Sequence, residues 1–288
     1  MPIEIKNLCY SYKQGTPFEK KVLHNVNLSI NDGEFIGLIG PTQSGKTTLA
    51  QHCNALIIPQ KGRVVVNGCD TAEKNANLTD LRQNVGYVFQ NPDYQLFAPT
   101  VGEDIAFGPV NQKLGRDEIN NRVREAMEQV GLDYNIFYKR DIFALSGGQK
   151  RRAAIAGVLA CRPRVMILDD VTAGLDPRGR EEILAVVRKL HEEKMLTIIF
   201  ISNSMDEVAM LADRIAVLDK GHIIIDDTTK SVFGEAEKLQ QIGLELPEVM
   251  EITGKLREYG FKLPQTLITL DEVVELISAD LQGKQVGE

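Results

Sequence analysis

Apolar and polar positions change their period several times along the chain. Residues 3–9 (IEIKNLC) and 22–30 (VLHNVNLSI) alternate, which predicts two strands of an antiparallel sheet around the turn-rich segment KQGTPFEKK. The unbroken apolar run Phe35 to Ile39 predicts a strand that breaks at Gly40, and residues 47–56 read as a helix. RVVVNG is another strand, and VGYVFQ is one that ends on Gln90 before a polar, proline-containing loop. Residues 115–131 carry Ile119, Val123, Ala126, Met127 and Val130 at helical spacing, ending at Gly131. LSGGQKRR heads a helix to about Cys161, and RVMILDD is a buried-strand pattern ending in two carboxylates. A helix over 178–194, strand LTIIFIS, helix 204–212, strand RIAVLD and hairpin KGHIII continue the alternation. Strands alternating with helices predict an α/β fold with a mostly parallel, doubly wound sheet, whose ligands sit at the carboxyl ends of the strands. From about Lys230 the pattern changes to two short amphipathic helices joined by a Gly/Pro connector, which reads as a helical appendage for packing or subunit association.

Length and composition narrow this picture only slightly. The 288 residues suit one large domain or a domain plus an appendage. No apolar stretch approaches the roughly 20 residues of a membrane-spanning helix, and MPIEIKNLCY reads as a strand, not a signal peptide. Cys9, Cys53, Cys69 and Cys161 lack C-x-x-C spacing, so neither zinc nor a disulfide frame is expected, and a reduced, cytosolic setting fits. A net charge of -7 argues against a nucleic-acid partner, and Lys150-Arg151-Arg152 reads as a solvated helix face or a phosphate-side contact.

The chemistry concentrates in EFIGLIGPTQSGKTTL, where G-x-x-x-x-G-K-[ST] follows a predicted strand and precedes a predicted helix. Gly40 and Gly45 let the backbone around Pro41, Thr42, Gln43 and Ser44 curl so that N–H groups face phosphate oxygens, and the helix end adds its positive pole. Lys46 would reach the β- and γ-phosphates, and the Thr47 hydroxyl, next to Thr48, would ligate Mg²⁺. The ligand is a nucleoside triphosphate. Gln90, at a strand end, is placed to ligate Mg²⁺ and sense the γ-phosphate. Ser146, Gly147, Gly148 and Gln149 form a second anion-binding helix start. Asp169 is assigned to the metal, and Asp170 lies one residue nearer an attacking water. Tyr12, ending the first strand, is either an adenine-stacking ring or an ordinary half-buried tyrosine; its spacing does not choose.

Together GPTQSGKTT, Gln90, LSGGQ, VMILDD and AGLD resemble the nucleotide-binding domain of an ABC ATPase, over residues 1 to about 228. More narrowly, QNPDYQLFAPTVGEDIAFGP, LSGGQKRRAAIAG and the C-terminal piece resemble the ATPase subunits of energy-coupling factor (cobalt/vitamin-type) importers. The resemblance implies a P-loop NTPase with an N-terminal antiparallel β subdomain and a helical signature subdomain over about 91–162. It implies a C-terminal helical appendage over 229–288, for dimerisation or accessory contacts. It implies ATP and Mg²⁺ held head to tail between two such domains, the phosphate loop of one facing LSGGQ of the other. The expected partners are a second ABC ATPase subunit, a transmembrane coupling subunit docked near the Gln90 segment and a substrate-binding membrane protein, at the cytoplasmic face of the cell membrane. Tyr12 matches the family's adenine-stacking aromatic position.

Three departures stand out. The family usually has glutamate and then proline after the Walker B aspartate, where this chain has Asp170 and Val171; its switch histidine falls on Asn203; and Gln43 sits where glycine is common. Aspartate is one methylene shorter than glutamate, and asparagine hydrogen-bonds without titrating near neutral pH. Loss of general-base geometry is worth about 10²–10⁴-fold. The binding residues and LSGGQ are intact. One reading is a site that binds ATP, hydrolyses it poorly and lends its LSGGQ to a partner ATPase. The other is an ordinary subunit with tolerated substitutions, and a regulatory ABC domain with little hydrolysis is the alternative outside transport. A chromosome-type ABC ATPase would carry a long coiled-coil insertion, yet only about a hundred residues separate Lys46 from Ser146.

Overall fold

The computed structural model describes residues 2–194, 196–259, 261, 263–264 and 267–285, and in it the strands divide between two sheets. The first is antiparallel. It pairs β1 (Ile3–Tyr12) with β2 (Lys20–Ile30) on one side and β4 (Lys61–Val66) on the other, with β5 (Cys69–Asp70) at the edge. The second runs in the order β10-β9-β3-β8-β7-β6, from β3 (Phe35–Ile39), β6 (Val85–Val88), β7 (Val165–Asp169), β8 (Thr197–Ile201), β9 (Arg214–Asp219) and β10 (His222–Thr228). All its pairings are parallel except the β9–β10 hairpin.

β3, β7 and β8 are buried at every residue, which is why they read as unbroken apolar runs. Alternate positions serve two cores. Val165 and Ile167 of β7 join Ile3, Leu28, Val64 and Leu49 between the two sheets, over α1 (Lys46–Cys53). Met166 and Leu168 face the helical side. Beyond α2 (Leu78–Asn84), the helical subdomain comprises α3 (Val101–Asn111), α4 (Arg116–Gln129), α5 (Tyr134–Phe137) and α6 (Gly147–Leu159). Its Ile105, Val123, Met127 and Ile155 belong to the same core as β7, so it is welded to the sheet. α7 (Pro177–Lys194) and α8 (Met205–Leu211) complete the crossovers.

Among the described residues beyond 228 there are four helices where the sequence pattern predicts two. α9 (Thr229–Gly234) and α10 (Ala236–Gln241) are six residues each, too short to display a helical period. Their Val232, Phe233 and Leu239 are fully buried in the main core, which also gathers Leu244, so core packing runs past the compositional change. α11 (Glu248–Glu258) and α12 (Leu270–Gln285) share a separate small cluster of Val249, Leu267 and Val273. Residues 260, 262, 265, 266 and 286–288 of the expected appendage lie outside the described residues. Among the described residues no helix is long and apolar enough to cross a membrane.

Candidate functional site

The strand β3 delivers the chain into a loop that only particular residues can form. Gly40 has φ of 153°, and a Cβ there would stand 2.0 Å from the Leu218 carbonyl oxygen. Ser44 N–H donates to the Pro41 carbonyl at 3.1 Å, closing a tight turn that leaves Thr42 exposed. Gln43 sits at φ 66°, a left-handed conformation that glycine adopts freely; its Oε1 accepts from Lys20 Nζ at 3.4 Å. Gly45 caps α1 without a side-chain bond, so the N–H groups of the first turn, from Lys46 to Thr48, stay free for an anion. Among the described residues the buried Ser44 hydroxyl has no hydrogen-bond partner, an orphan that a phosphate oxygen would satisfy. Lys46 Nζ donates to the Gly40 and Pro41 carbonyls at 2.6 and 3.1 Å. Burial lowers the Lys46 pKa, while Asp170 and Asp169 push it back up.

An open cavity of about 210 Å³ lies over this loop, walled by Tyr12, Lys20, Val22 and Gln43 to Thr48. The Tyr12 hydroxyl shares a 3.1 Å hydrogen bond with Thr48 Oγ1, and its ring meets Tyr10 edge-on at 5.0 Å. The tyrosine is therefore a wall of the phosphate-loop cavity and is 37% exposed, with room for a base against it.

The ends of β6, β7 and β8 bring the carboxylates and amides together. Asp169 closes β7; its Oδ1 accepts from Thr47 Oγ1 at 3.4 Å and its Oδ2 from the Tyr87 hydroxyl at 2.6 Å. Burial raises the Asp169 pKa, and the bonds from Tyr87 and Thr47 oppose that rise. Burial and the Asp169 charge push the Tyr87 phenol upward, so it remains a donor. Asp170, at φ 50°, anchors its N–H on the Ile201 carbonyl at 2.8 Å. Its Oδ2 accepts from Gln90 Nε2 at 2.8 Å and from Asn203 Nδ2 at 3.1 Å. Because the amide nitrogen of Gln90 faces Asp170, the side-chain carbonyl oxygen of Gln90 points away from that carboxylate. Thr47, Asp169 and that carbonyl are hard oxygen donors of the kind Mg²⁺ takes, few enough that phosphate and water complete the shell. The donor set fits the ion.

Three supporting residues escape sequence reasoning. Arg151, expected on a solvated face or against phosphate, is buried, and its guanidinium donates to the carbonyls of Phe89, Gln90 and Ala173. Its neighbours do lie outward, Lys150 on Asp93 at 2.7 Å and Arg152 on Glu182 at 3.2 Å. Glu207, also buried, accepts from Thr172 Oγ1 at 2.7 Å and Ser202 Oγ at 2.8 Å, tying the segment after Asp170 to the one before Asn203. Tyr87 is the third. Only its place two residues inside the strand that points at Gln90 could have flagged it.

Ser146 forms a capping box at the start of α6: its Oγ accepts from the Gln149 N–H at 3.3 Å, and Gln149 Oε1 accepts from the Ser146 N–H at 3.1 Å. A side chain at Gly147 or Gly148 would meet nothing within 4 Å, so this helix end is an open face. Among the described residues no hydrogen bond or ion pair joins Ser146–Gln149 to the phosphate loop. A groove of about 300 Å³ runs between β6 and the helical subdomain, where the rings of Phe97 and Phe107 meet edge-on at 4.8 Å and are 58% and 50% exposed.

The family described as ABC transporter matches residues 23–173. The chain is 48% identical over 277 residues to the energy-coupling factor transporter ATP-binding protein EcfA2 of Clostridium perfringens, covering 96% of this chain and 97% of that protein. Among solved structures it resembles cbiO1 from Clostridium perfringens, described as part of the ABC transporter complex cbiONQ. There the TM-score is 0.73 at 36% identity, over 88% of this chain and 98% of that one. The ATP-binding cassette MJ0796, in a dimeric post-hydrolysis state bound to ADP and Pi, matches with a TM-score of 0.71 at 29% identity, over 79% of this chain and 98% of that one.

Proposed function

Because this chain belongs to the ABC transporter family, among the ATP-binding subunits of energy-coupling factor transporters, we propose a division of labour between its two phosphate-recognising ends. The chain is an ABC ATPase, and its own phosphate loop and Walker B strand bind ATP and hydrolyse it slowly. Its LSGGQ completes a competent site on a different ATPase subunit, met head to tail. Both subunits drive a transmembrane coupling protein at the cytoplasmic face of the membrane, and a separate membrane protein selects the vitamin or metal ion carried.

The observation that carries this reading is the closed set at Asp170. One oxygen of a short carboxylate already accepts two amide protons, from Gln90 and Asn203, and neither amide titrates near neutral pH. The group placed to take a proton from water thus has one oxygen already occupied by two amide N–H groups. The binding half has no such handicap. Lys46, the free N–H groups of α1 and the Ser44 hydroxyl converge on one loop, and the Tyr12 ring walls it for the base. Thr47, Asp169 and the side-chain carbonyl of Gln90 would hold Mg²⁺, which when bound offsets the negative charge of the phosphate oxygens. The open face at Gly147 and Gly148 supports the assignment of the signature to a partner's nucleotide, since nothing among the described residues lies within 4 Å of where a side chain would stand there. The exposed Phe97 and Phe107, beside the Gln90 segment, supply the apolar surface for the coupling protein.

The assembled transporter tests the division. Ser146→Arg should abolish most ATP turnover of the complex, because it blocks the competent site. Asp170→Asn should leave most of it. Equal losses from the two variants would contradict the reading.

A further inference from the structure

Tyr87 stands where its strand can reach the metal carboxylate. In the parallel β6–β7 pairing it is opposite Ile167, so Asp169 lies two residues further along β7 on the same face. The phenol closes that diagonal with a 2.6 Å bond to Asp169 Oδ2, and both side chains are buried. The other carboxylate oxygen, Oδ1, is the one that meets Thr47. A carboxylate hinged on its Cβ has no reason of its own to hold one oxygen toward Thr47. Two bonds on opposite oxygens settle its plane. Aromatic packing keeps the phenol in place: the Tyr87 ring lies 4.7 Å from that of Phe89, among Val85, Val165 and Ile167.

We infer that Tyr87 is a positioning residue for the metal site: its hydroxyl fixes the Asp169 carboxylate so that Oδ1 is presented to Mg²⁺ beside Thr47. This rests on the assignment of Asp169 to the ion. In this role Tyr87 acts through Asp169 and is not itself a ligand. Its contribution is orientation, as with the outer hydrogen-bond partners of metal ligands generally, whose removal weakens metal affinity by about 10–100-fold. The neighbouring Gln90 segment is held by Arg151, and Tyr87→Phe keeps the ring that packs on Phe89, so that variant removes only the bond to the carboxylate.

The test uses the full chain and binding alone, with a fluorescent ATP analogue titrated at increasing MgCl₂ and separately in EDTA. Tyr87→Phe keeps the ring and removes only the hydroxyl; Tyr87→Leu repeats the deletion should the first variant fold poorly, and binding in EDTA reports the fold of each. The expected result is a Mg²⁺ half-saturation raised by about tenfold with binding in EDTA unchanged, and no Mg²⁺ enhancement in Asp169→Asn. A parent-like Mg²⁺ half-saturation in the Tyr87 variants, with Asp169→Asn defective, would overturn the role of Tyr87 alone. Parent-like Mg²⁺ dependence in Asp169→Asn would remove the metal assignment and the inference with it.

Discussion

Asn203 donates its Nδ2 proton to Asp170 Oδ2 across 3.1 Å. The two positions that the sequence reading singles out as departures in the hydrolytic step are therefore bonded to one another, 33 residues apart in sequence. The substitutions form a unit: a short carboxylate and a neutral amide that satisfy each other, with Gln90 as the second donor.

That pairing predicts a small effect where the family's usual residue would give a large one. Removing a working general base lowers turnover by about 10²-fold or more. Asp170→Asn in the isolated chain should fall well short of that, and steady-state phosphate release measures it. A loss of that size or greater would mean that Asp170 activates water as it stands.

Gln43 bears a conformational cost. A non-glycine residue in the left-handed region is disfavoured by about 1–2 kcal/mol, and glycine returns part of this through its greater freedom in the unfolded chain. Gln43→Gly should therefore stabilise the protein by about 0.5–1 kcal/mol in urea unfolding, since among the described residues the bond it removes is the exposed contact with Lys20. Unchanged or reduced stability would show that the loop is not strained.

Much of this was legible in the sequence, for physical reasons that differ by element. β3, β7 and β8 were readable because strands covered on both faces must be apolar throughout. The phosphate loop was readable because its chemistry is local, a fixed spacing between two glycines and a lysine. Helix α1 ends at Cys53, short of the expected residue 56, because Ala55 turns left-handed at φ 55°. The bond from Tyr87 to Asp169 spans 82 residues and that from Arg151 to the Gln90 carbonyl spans 61; neither leaves a local pattern. Sheet register makes the first, and the packing of α6 against the end of β6 makes the second.

His52 should make stability depend on pH. It is fully buried, with Nδ1 2.7 Å from the Thr48 carbonyl oxygen, and burial lowers its pKa below 6.5 despite that bond. The unfolded chain then binds a proton that the folded chain refuses. The resulting contribution is complete above pH 6.5 and is lost as pH falls below it toward the lowered folded value. Urea midpoints at pH 7.5 and 5.5 should differ less in His52→Gln than in the parent. Equal differences would contradict the buried, neutral assignment.

Glu207 predicts a contrast between two variants. Alanine there strands the buried hydroxyl partners Thr172 and Ser202, at about 3 kcal/mol for the pair. Glutamine retains an acceptor for both, and should lose markedly less. Equal unfolding free energies for Glu207→Ala and Glu207→Gln would show that the carboxylate does not tie the two segments together.

The most direct test of the central claim is steady-state ATP hydrolysis by the chain alone, beside its Asp170→Glu/Asn203→His double variant, with ATP affinity measured for both. Tight binding in both, with turnover negligible in the parent and raised by about 10²-fold or more in the variant, is the predicted result. Ordinary transporter-level turnover in the unaltered chain, with no gain in the variant, would contradict the division of labour.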